Sequence, residues 1–392
     1  MVPNPLLGVF FHWLGGLASG SFYVPYRHVK AWSWETYWLV GGFFSWIIVP
    51  WILALFMTSD LVRVLRETPG GALLWSYTFG VLWGLGGLTF GLTMRYLGMS
   101  LGMAVALGYT AAFGTLMPPI FRGQFVSEVL GTRSGLVILA GVGICMLGIV
   151  FAGGAGISKE KEMSDEQKRA SIKEFSLKKG LLVATFSGVM SACFAYGLAA
   201  GDPIKEITLR HGTPVLWQGL PVLVVVLLGG FTTNFIWCVM LNVRNRTGHE
   251  YFESSVRRPG LAKENEPILE NVTDAPAERM AEAAPQALTS PVKAPMLANY
   301  FFSALAGTTW YFQFFFYTMG ETQMGRYKFS SWTLHMASII IFSTLWGIAL
   351  KEWKGTGVRT KCLVGLSLFV LVASTIVVGY GNYLGAATVA AK

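Results

Sequence analysis

The sequence predicts an all-α integral membrane protein, and its composition and the length of its apolar segments are the observations behind that prediction. Of 392 residues, 53% are hydrophobic and only 13% are charged, and the mean hydropathy is +0.51. An α-helix needs about 20 apolar residues to cross roughly 30 Å of hydrocarbon. Ten segments reach about that length: 5–24, 34–57, 73–94, 97–121, 132–155, 180–200, 213–243, 295–319, 329–350 and 361–384.

The charged segment 157–179 divides the predicted helices into two equal groups. We expect a first five-helix repeat over 1–156 and a second over 180–392. Because each group has an odd number of helices, duplicated halves would have to be inverted relative to each other, as in many secondary transporters. The loop 244–294 is rich in Glu, Ala, Pro and Arg, so we expect most of it to be disordered.

The positions of the basic residues predict the orientation. The formal net charge is +9, and most of the 30 Lys and Arg residues fall in the loops of one membrane face. Cytoplasmic loops carry this excess, so both termini are predicted to be periplasmic. The first segment lacks a basic start and a cleavage site, and we expect it to be a retained helix. The charge therefore indicates a multi-pass inner-membrane protein in contact with lipid, with no nucleic acid as partner.

Two histidines lie inside the predicted helices, where an ionisable group costs about 2.5–3.5 kcal/mol. His12 and His335 are both about 10 Å from the periplasmic face at 1.5 Å per residue. Trp13, Trp310 and Gln313 reach a similar depth. Ring faces and a few donors and acceptors suit a polar, uncharged ligand. The alternative for each histidine is a structural hydrogen bond to a neighbouring carbonyl.

Three residues are candidates for proton coupling. An unperturbed imidazole titrates near pH 6.5, so His335 is the first candidate and His12 is another. Glu35 is also a candidate, although a carboxylate at a helix N-terminus is already explained by the helix dipole. Trp332 either lines the ligand site or belongs to an interfacial aromatic belt.

Charged residues at the predicted cytoplasmic helix ends are candidates for a gate. They are Arg95, Lys351 and Glu352, and their alternative role is as ordinary flanking charge. Sequence patterns of metalloproteases and of nucleotide-binding enzymes are absent: the chain has no HExxH and no glycine-rich phosphate loop. We therefore expect neither an enzyme nor an ATP-driven pump, and no metal or other cofactor.

Several strings together resemble the bacterial L-rhamnose–proton symporter family, within the drug/metabolite transporter superfamily. They are "WSWETYWLVGGFFSWIIVPW" (32–51), "GLTMRYLGMSLGM" (91–103), "LKKG" (177–180), "WYFQFFFYTMG" (310–320), "WTLHM" (332–336) and "LKEW" (350–353). The resemblance implies ten helices and import of L-rhamnose with protons as the coupling ion. In such a site Gln313 and His335 would meet sugar hydroxyls, while Trp13, Trp310 or the run from Phe314 to Phe316 would cover the methyl group.

Other functions remain open at this point. They are an uncoupled facilitator or an exporter of another small metabolite on the same fold, a membrane-embedded enzyme using His12 or His335 as a base, and a sugar sensor that signals through loop 244–294.

Overall fold

The computed structural model describes residues 3–97, 99–162, 176–256 and 292–390, and almost all of the regular structure there is helical. In chain order the α-helices are α1 Pro5–Ser21, α2 Tyr23–Tyr26, α3 Trp34–Gly42, α4 Val49–Met57, α5 Leu61–Glu67, α6 Gly70–Leu97, α7 Met99–Phe121, α8 Arg133–Glu162, α9 Leu177–Ala200, α10 Asp202–Arg210, α11 Leu220–Asn245, α12 Met296–Thr322, α13 Ser330–Ala349 and α14 Val358–Ala390.

Each of the ten predicted apolar segments falls on a helix of this structure. Eight helical segments are both long and apolar enough to span a membrane, among the described residues: Trp34–Met57, Gly70–Thr93, Leu101–Phe121, Arg133–Glu162, Leu177–Arg210, Val215–Asn245, Ser330–Ala349 and Val358–Ala387. Of the ten helices that carry the predicted segments, the two outside that set are α1, which has 17 residues, and α12, which has 27.

Regular structure extends into both charged loops. Helix α8 continues to Glu162 and α9 begins at Leu177, so the ends of the predicted linker 157–179 are helical, and 163–175 lies outside the described residues. After α11, a 3₁₀-helix (Gly248–Tyr251) and strand β1 (Ser255–Val256) follow, and β1 pairs antiparallel with β2 (Val292–Lys293). The remainder of the predicted disordered loop, 257–291, lies outside the described residues.

One helical segment has an irregular turn in its middle. A π-helix, Phe43–Ile48, joins α3 to α4, and Pro50 stands within the first turn of α4. Proline has no N–H to donate and is tolerated in a helix mainly at its first turn. The π-turn inserts one extra residue without ending the helix, and such turns are frequent at functional sites.

Helices from the first half of the chain pack mainly on helices from the second half. Helix α1 lies against α12 and α13, α6 lies against α9 and α11, and α8 lies against α14. Glycines allow these close approaches: a Cβ at Gly16 would collide with Ser338, and one at Gly80 would collide with the carbonyl of Val226.

Hydroxyl groups add hydrogen bonds to the contact between α8 and α14. Ser367 Oγ donates to the carbonyl of Gly148 at 3.0 Å, and Ser374 Oγ donates to the carbonyl of Gly141 at 2.9 Å. Each glycine leaves its carbonyl open to the facing helix. Polar pairs of this kind join helices in hydrocarbon, where packing has no hydrophobic driving force.

Candidate functional site

Three helices bring two histidines and a tyrosine together. The Tyr317 ring on α12 lies between His12 on α1, at a centroid distance of 5.3 Å, and His335 on α13, at 5.2 Å. Both contacts are edge-on, and the two imidazoles are 0% and 1% exposed. We call these three residues the histidine cluster. Sequence reasoning placed both histidines at one depth but did not single out Tyr317, which lacks a charge to mark it.

Glycines make room for both imidazoles. A Cβ at Gly320 would lie 2.7 Å from His12 Nε2, which is closer than real contacts allow. A Cβ at Gly15 would lie 2.9 Å from the carbonyl oxygen of Gln313 and 3.5 Å from His335 Nδ1. The small residues on α1 and α12 therefore determine how closely the rings approach the neighbouring helices.

Polar atoms around the histidine cluster are buried without a hydrogen-bond partner in the described structure. They are both ring nitrogens of His12, His335 Nδ1, Gln313 Nε2 and Ser331 Oγ. An unsatisfied buried polar group typically costs about 1–3 kcal/mol, and most such groups in proteins are paired. Several orphaned donors and acceptors so close together indicate a place where a polar ligand supplies the missing partners.

Trp332 forms part of the wall of this site and does not lie at an aqueous interface. It is 3% exposed, and its Nε1 donates to the carbonyl of Thr110 on α7 at 2.8 Å. Its ring centroid is 5.9 Å from that of Tyr317 and 6.2 Å from that of His335. The interfacial-belt interpretation therefore does not describe Trp332.

Two of the predicted aromatic residues face other neighbours. Trp13 packs edge-on against Phe342 at a centroid distance of 6.0 Å, although its buried Nε1 has no partner among the described residues. Phe316 is half-buried and its ring contacts are with Phe312 and Phe315. Neither ring contacts the histidine cluster.

Trp310 lines a narrow cavity with residues from two other segments. We call it the aromatic cavity; its lining consists of Phe22, Tyr26, Trp38, Gly42, Ser45, Trp46, Gly307 and Trp310. Trp310 precedes Tyr317 by seven residues on α12, which is about 10 Å along the helix axis. The sequence signal for this cavity is the tryptophan-rich string 32–51, which by itself indicates only a family resemblance.

Glu35 lies in a different polar network at the start of α3. It is 3% exposed and accepts hydrogen bonds from Asn245 Nδ2 and Thr247 Oγ1, both at 2.9 Å. Nearby, Glu250 accepts from Ser33 Oγ at 2.6 Å. These bonds join the beginning of α3 to the end of α11 and the segment after it, and no described hydrogen bond joins Glu35 to the histidine cluster.

The candidate gate residues differ in their surroundings. The side chain of Arg95 is outside the described part of the chain. Lys351 is exposed, in a left-handed turn (φ 63°) that follows α13. Glu352 is half-buried, and burial raises the pKa of its carboxyl, while the positive charges of Lys159 and Arg27 act in the opposite direction.

A buried ionic network lies one helical turn beyond the histidine cluster on α12, and sequence reasoning missed it. Lys205 Nζ is 3.0 Å from Glu321 Oε2 and 3.2 Å from Asp202 Oδ1, and Asp202 is 2.7 Å from Arg122. The Lys205 side chain is only 5% exposed. The network joins the ends of α7, α10 and α12, with Glu321 one turn after Tyr317. From sequence, Lys205 was simply one basic residue of a periplasmic loop.

No metal centre is apparent in the described residues, which contain no group of three or more His, Cys, Asp or Glu side chains placed to hold an ion.

Comparisons with known proteins show the family to which the chain belongs. The family model described as L-rhamnose-proton symport protein matches residues 1–264 and 279–384. A protein of Mannheimia succiniciproducens named L-rhamnose-proton symporter is 35% identical over 377 residues, which are 96% of this chain and 98% of that protein. Proteins of the same name from Klebsiella pneumoniae and Pectobacterium atrosepticum are each 34% identical over 96% of this chain, and the matches cover 97% and 98% of those proteins.

Proposed function

Since the chain belongs to the L-rhamnose-proton symport protein family, we propose that it imports L-rhamnose, or a closely related deoxyhexose, together with protons across the bacterial inner membrane. The family is one of multi-pass membrane transporters and not of enzymes, and its coupling ion is the proton. The family resemblance predicted from the sequence is thus confirmed; the superfamily placement stays a prediction.

For the fold, the proposal is ten transmembrane helices in two inverted five-helix repeats, with both termini periplasmic. The eight apolar spans support most of it. Helix α1, with 17 residues, is about 26 Å long, and α12 packs against it, so this pair completes ten. The basic loops support the orientation.

The observation that carries the functional proposal is the group of orphaned polar atoms around the histidine cluster. A neutral sugar presents several hydroxyls, each able to donate and to accept. Gln313 Nε2 can donate to one hydroxyl, and the ring nitrogens of His12 and His335 can donate or accept according to their tautomer. A bound sugar would satisfy groups that otherwise remain unpaired in a dry interior.

His335 is the residue we assign to proton coupling, with His12 as its partner across Tyr317. A protonated imidazole has two donors and a neutral one has a donor and an acceptor, so protonation changes which sugar hydroxyls the cluster can hold. One proton carried with a neutral sugar moves one charge, which is worth about 2.3 kcal/mol per 100 mV of membrane potential. That free energy can drive accumulation.

Alternating access then requires each end of the site to open in turn. The Lys205 network closes the end near Glu321, and the hydrogen bond from the Asn4 backbone N–H to Gln323 Oε1, at 3.1 Å, lies at the same end. These contacts would have to separate to admit a sugar from the periplasm.

Uptake of labelled L-rhamnose into proteoliposomes, with and without an imposed proton gradient, tests the proposal. We expect gradient-driven accumulation by the native protein. His335→Ala should lose the accumulation but retain sugar exchange, and His28→Ala should behave as native, because that histidine is exposed and stacks on Phe302.

Two outcomes would contradict the proposal. Uptake by the native protein that ignores the gradient would identify an uncoupled facilitator. Accumulation that survives His335→Ala would make His335 a structural residue and transfer the coupling role to His12 or Glu35.

A further inference from the structure

The aromatic cavity beside Trp310 has features that tight packing alone does not require. We propose that it is a second saccharide-binding site, which takes the less polar face of a neutral sugar on its way between the histidine cluster and the cytoplasm. This inference rests on the proposed transport function and on the proposed orientation. It adds a binding site on α3, the π-helix and α12 that lies apart from the histidine cluster.

The cavity walls are aromatic faces and edges arranged around Trp310. Trp310 stacks on Trp83, with the ring planes 19° apart, and meets Trp46 edge-on at a centroid distance of 5.3 Å. Trp38 in turn meets Trp46 at 6.3 Å. Aromatic rings supply a large apolar surface with a polar edge, and this suits the C–H face of a sugar or its methyl group.

Polar groups of the cavity are poorly paired. Trp46 is 3% exposed, and its Nε1 has no hydrogen-bond partner among the described residues. Ser45 Oγ makes one long bond, 3.3 Å, to the carbonyl of Gly42 on its own helix. A buried indole N–H without an acceptor is costly in an apolar interior, and a sugar hydroxyl oxygen would satisfy it.

The backbone is shaped for this arrangement. Ser45 and Trp46 both belong to the π-helix, whose extra residue changes the faces that later side chains occupy. A Cβ at Gly42 would lie 2.7 Å from the Trp46 ring, and one at Gly307 would collide with the carbonyl of Gly41. Glycines at these positions let the Trp46 ring and the α12 backbone approach α3.

The position of the cavity suits a transport path. Gln313 lies on α12 between Tyr317 and Trp310, so a sugar leaving the histidine cluster would meet Gln313 and then the tryptophans. As it stands, the cavity has room for about one water molecule. Sugar binding therefore requires α12 and the π-helix to separate, and such a movement is part of the alternating access proposed above.

The test combines Trp46→Phe, which keeps an aromatic ring and removes the N–H, with Trp34→Phe as the matched control. Trp34 stacks on Trp38 at 5.1 Å but does not line the cavity. We expect Trp46→Phe to reduce the rate of L-rhamnose exchange in proteoliposomes about tenfold, the effect of losing one hydrogen bond worth about 1.4 kcal/mol. Trp34→Phe should change it less than twofold.

A second measurement reports directly whether L-rhamnose occupies the aromatic cavity, and it distinguishes binding from a purely structural effect of the substitution. In the Ser45→Cys variant, L-rhamnose should slow alkylation of the introduced thiol by N-ethylmaleimide at least threefold, measured by mass spectrometry. The exposed native Cys362 provides the internal control and should react at an unchanged rate.

The outcomes separate this inference from the proposed function. If the native protein exchanges L-rhamnose but the sugar does not protect position 45, or both tryptophan variants exchange alike, the second site is refuted while the transport function stands. If the native protein exchanges no L-rhamnose, the proposed function fails first, and the site assignment fails with it.

Discussion

Neutralising Lys205 should make the end of the site near Glu321 open far more often. The Lys205 and Glu321 side chains are 5% and 14% exposed and their charges are 3.0 Å apart. Removing one partner of a buried ion pair costs about 3–5 kcal/mol, because the other charge stays buried and unpaired. The Asp202 side chain is 34% exposed, so solvent screens its attraction to Lys205, and the lower figure of about 3 kcal/mol applies.

This cost falls on the closed state alone, because the two carboxylates can be hydrated when the end is open. Since 1.4 kcal/mol corresponds to a factor of ten, Lys205→Met should raise the open population roughly a hundredfold. The reporter is Ser331→Cys: position 331 is fully buried beside the histidine cluster. A membrane-impermeant thiol reagent, added from the face that carries the N-terminus, should label it roughly a hundredfold faster in Lys205→Met.

Two further variants make the result interpretable. Lys205→Arg keeps the charge and should label nearly as slowly as the parent. Arg63→Met removes the ion pair between Arg63 and Glu67. The two side chains are 62% and 44% exposed, and an exposed pair contributes under about 1 kcal/mol to stability. Equal labelling rates in Lys205→Met and Arg63→Met, with sugar exchange retained in both, would refute the reasoning.

The remaining predictions concern single positions. Gly320→Ala places a Cβ 2.7 Å from His12 Nε2 and should lower kcat/KM for uptake at least tenfold, whereas Gly87→Ala, with open space around it, should not. Glu35→Gln should lower Tm, because the Glu35 carboxylate accepts hydrogen bonds from Asn245 and Thr247. It should leave the number of protons carried per sugar unchanged. Uptake that no longer depends on the proton gradient would contradict this. Folding raises the pKa of Glu352, so its ionisation lowers the stability of the folded protein as the pH rises above about 4.5. Glu352→Gln should therefore have a higher Tm than the native protein at pH 7.5 but not at pH 4. A difference in Tm that does not depend on pH would contradict this.

The sequence predicted where helices lie along the chain better than how they are rotated. A bilayer demands a minimum apolar length, so every predicted segment falls on a helix. Counting at 1.5 Å per residue also placed His12 and His335 at one depth, and the two rings do meet at Tyr317. Counting gives no rotation, however, and the rings of Trp13 and Phe316 contact other phenylalanines and not the histidine cluster.

Two further features depend on information that a single helix does not contain. The π-turn at Phe43–Ile48 changes the register between Trp38 and Trp46, and their shared cavity becomes apparent only when α12 is in place. The Lys205 network needs partners from two distant helix ends, Arg122 and Glu321, whose charges appear unrelated in the sequence. Such long-range pairs are decided by packing, which a segment-by-segment interpretation does not include.

The packing of helices from one half against helices from the other has a consequence for biosynthesis. Helix α1 packs on α12 and α13, and α8 packs on α14, all of which are synthesised much later. During translation the carbonyls of Gly141 and Gly148 on α8 therefore lack their hydrogen-bond donors, Ser374 and Ser367, until α14 has been synthesised. Helices α1 and α8 therefore enter the bilayer before these native neighbours have been made, and the bundle assembles fully only after the later helices are synthesised.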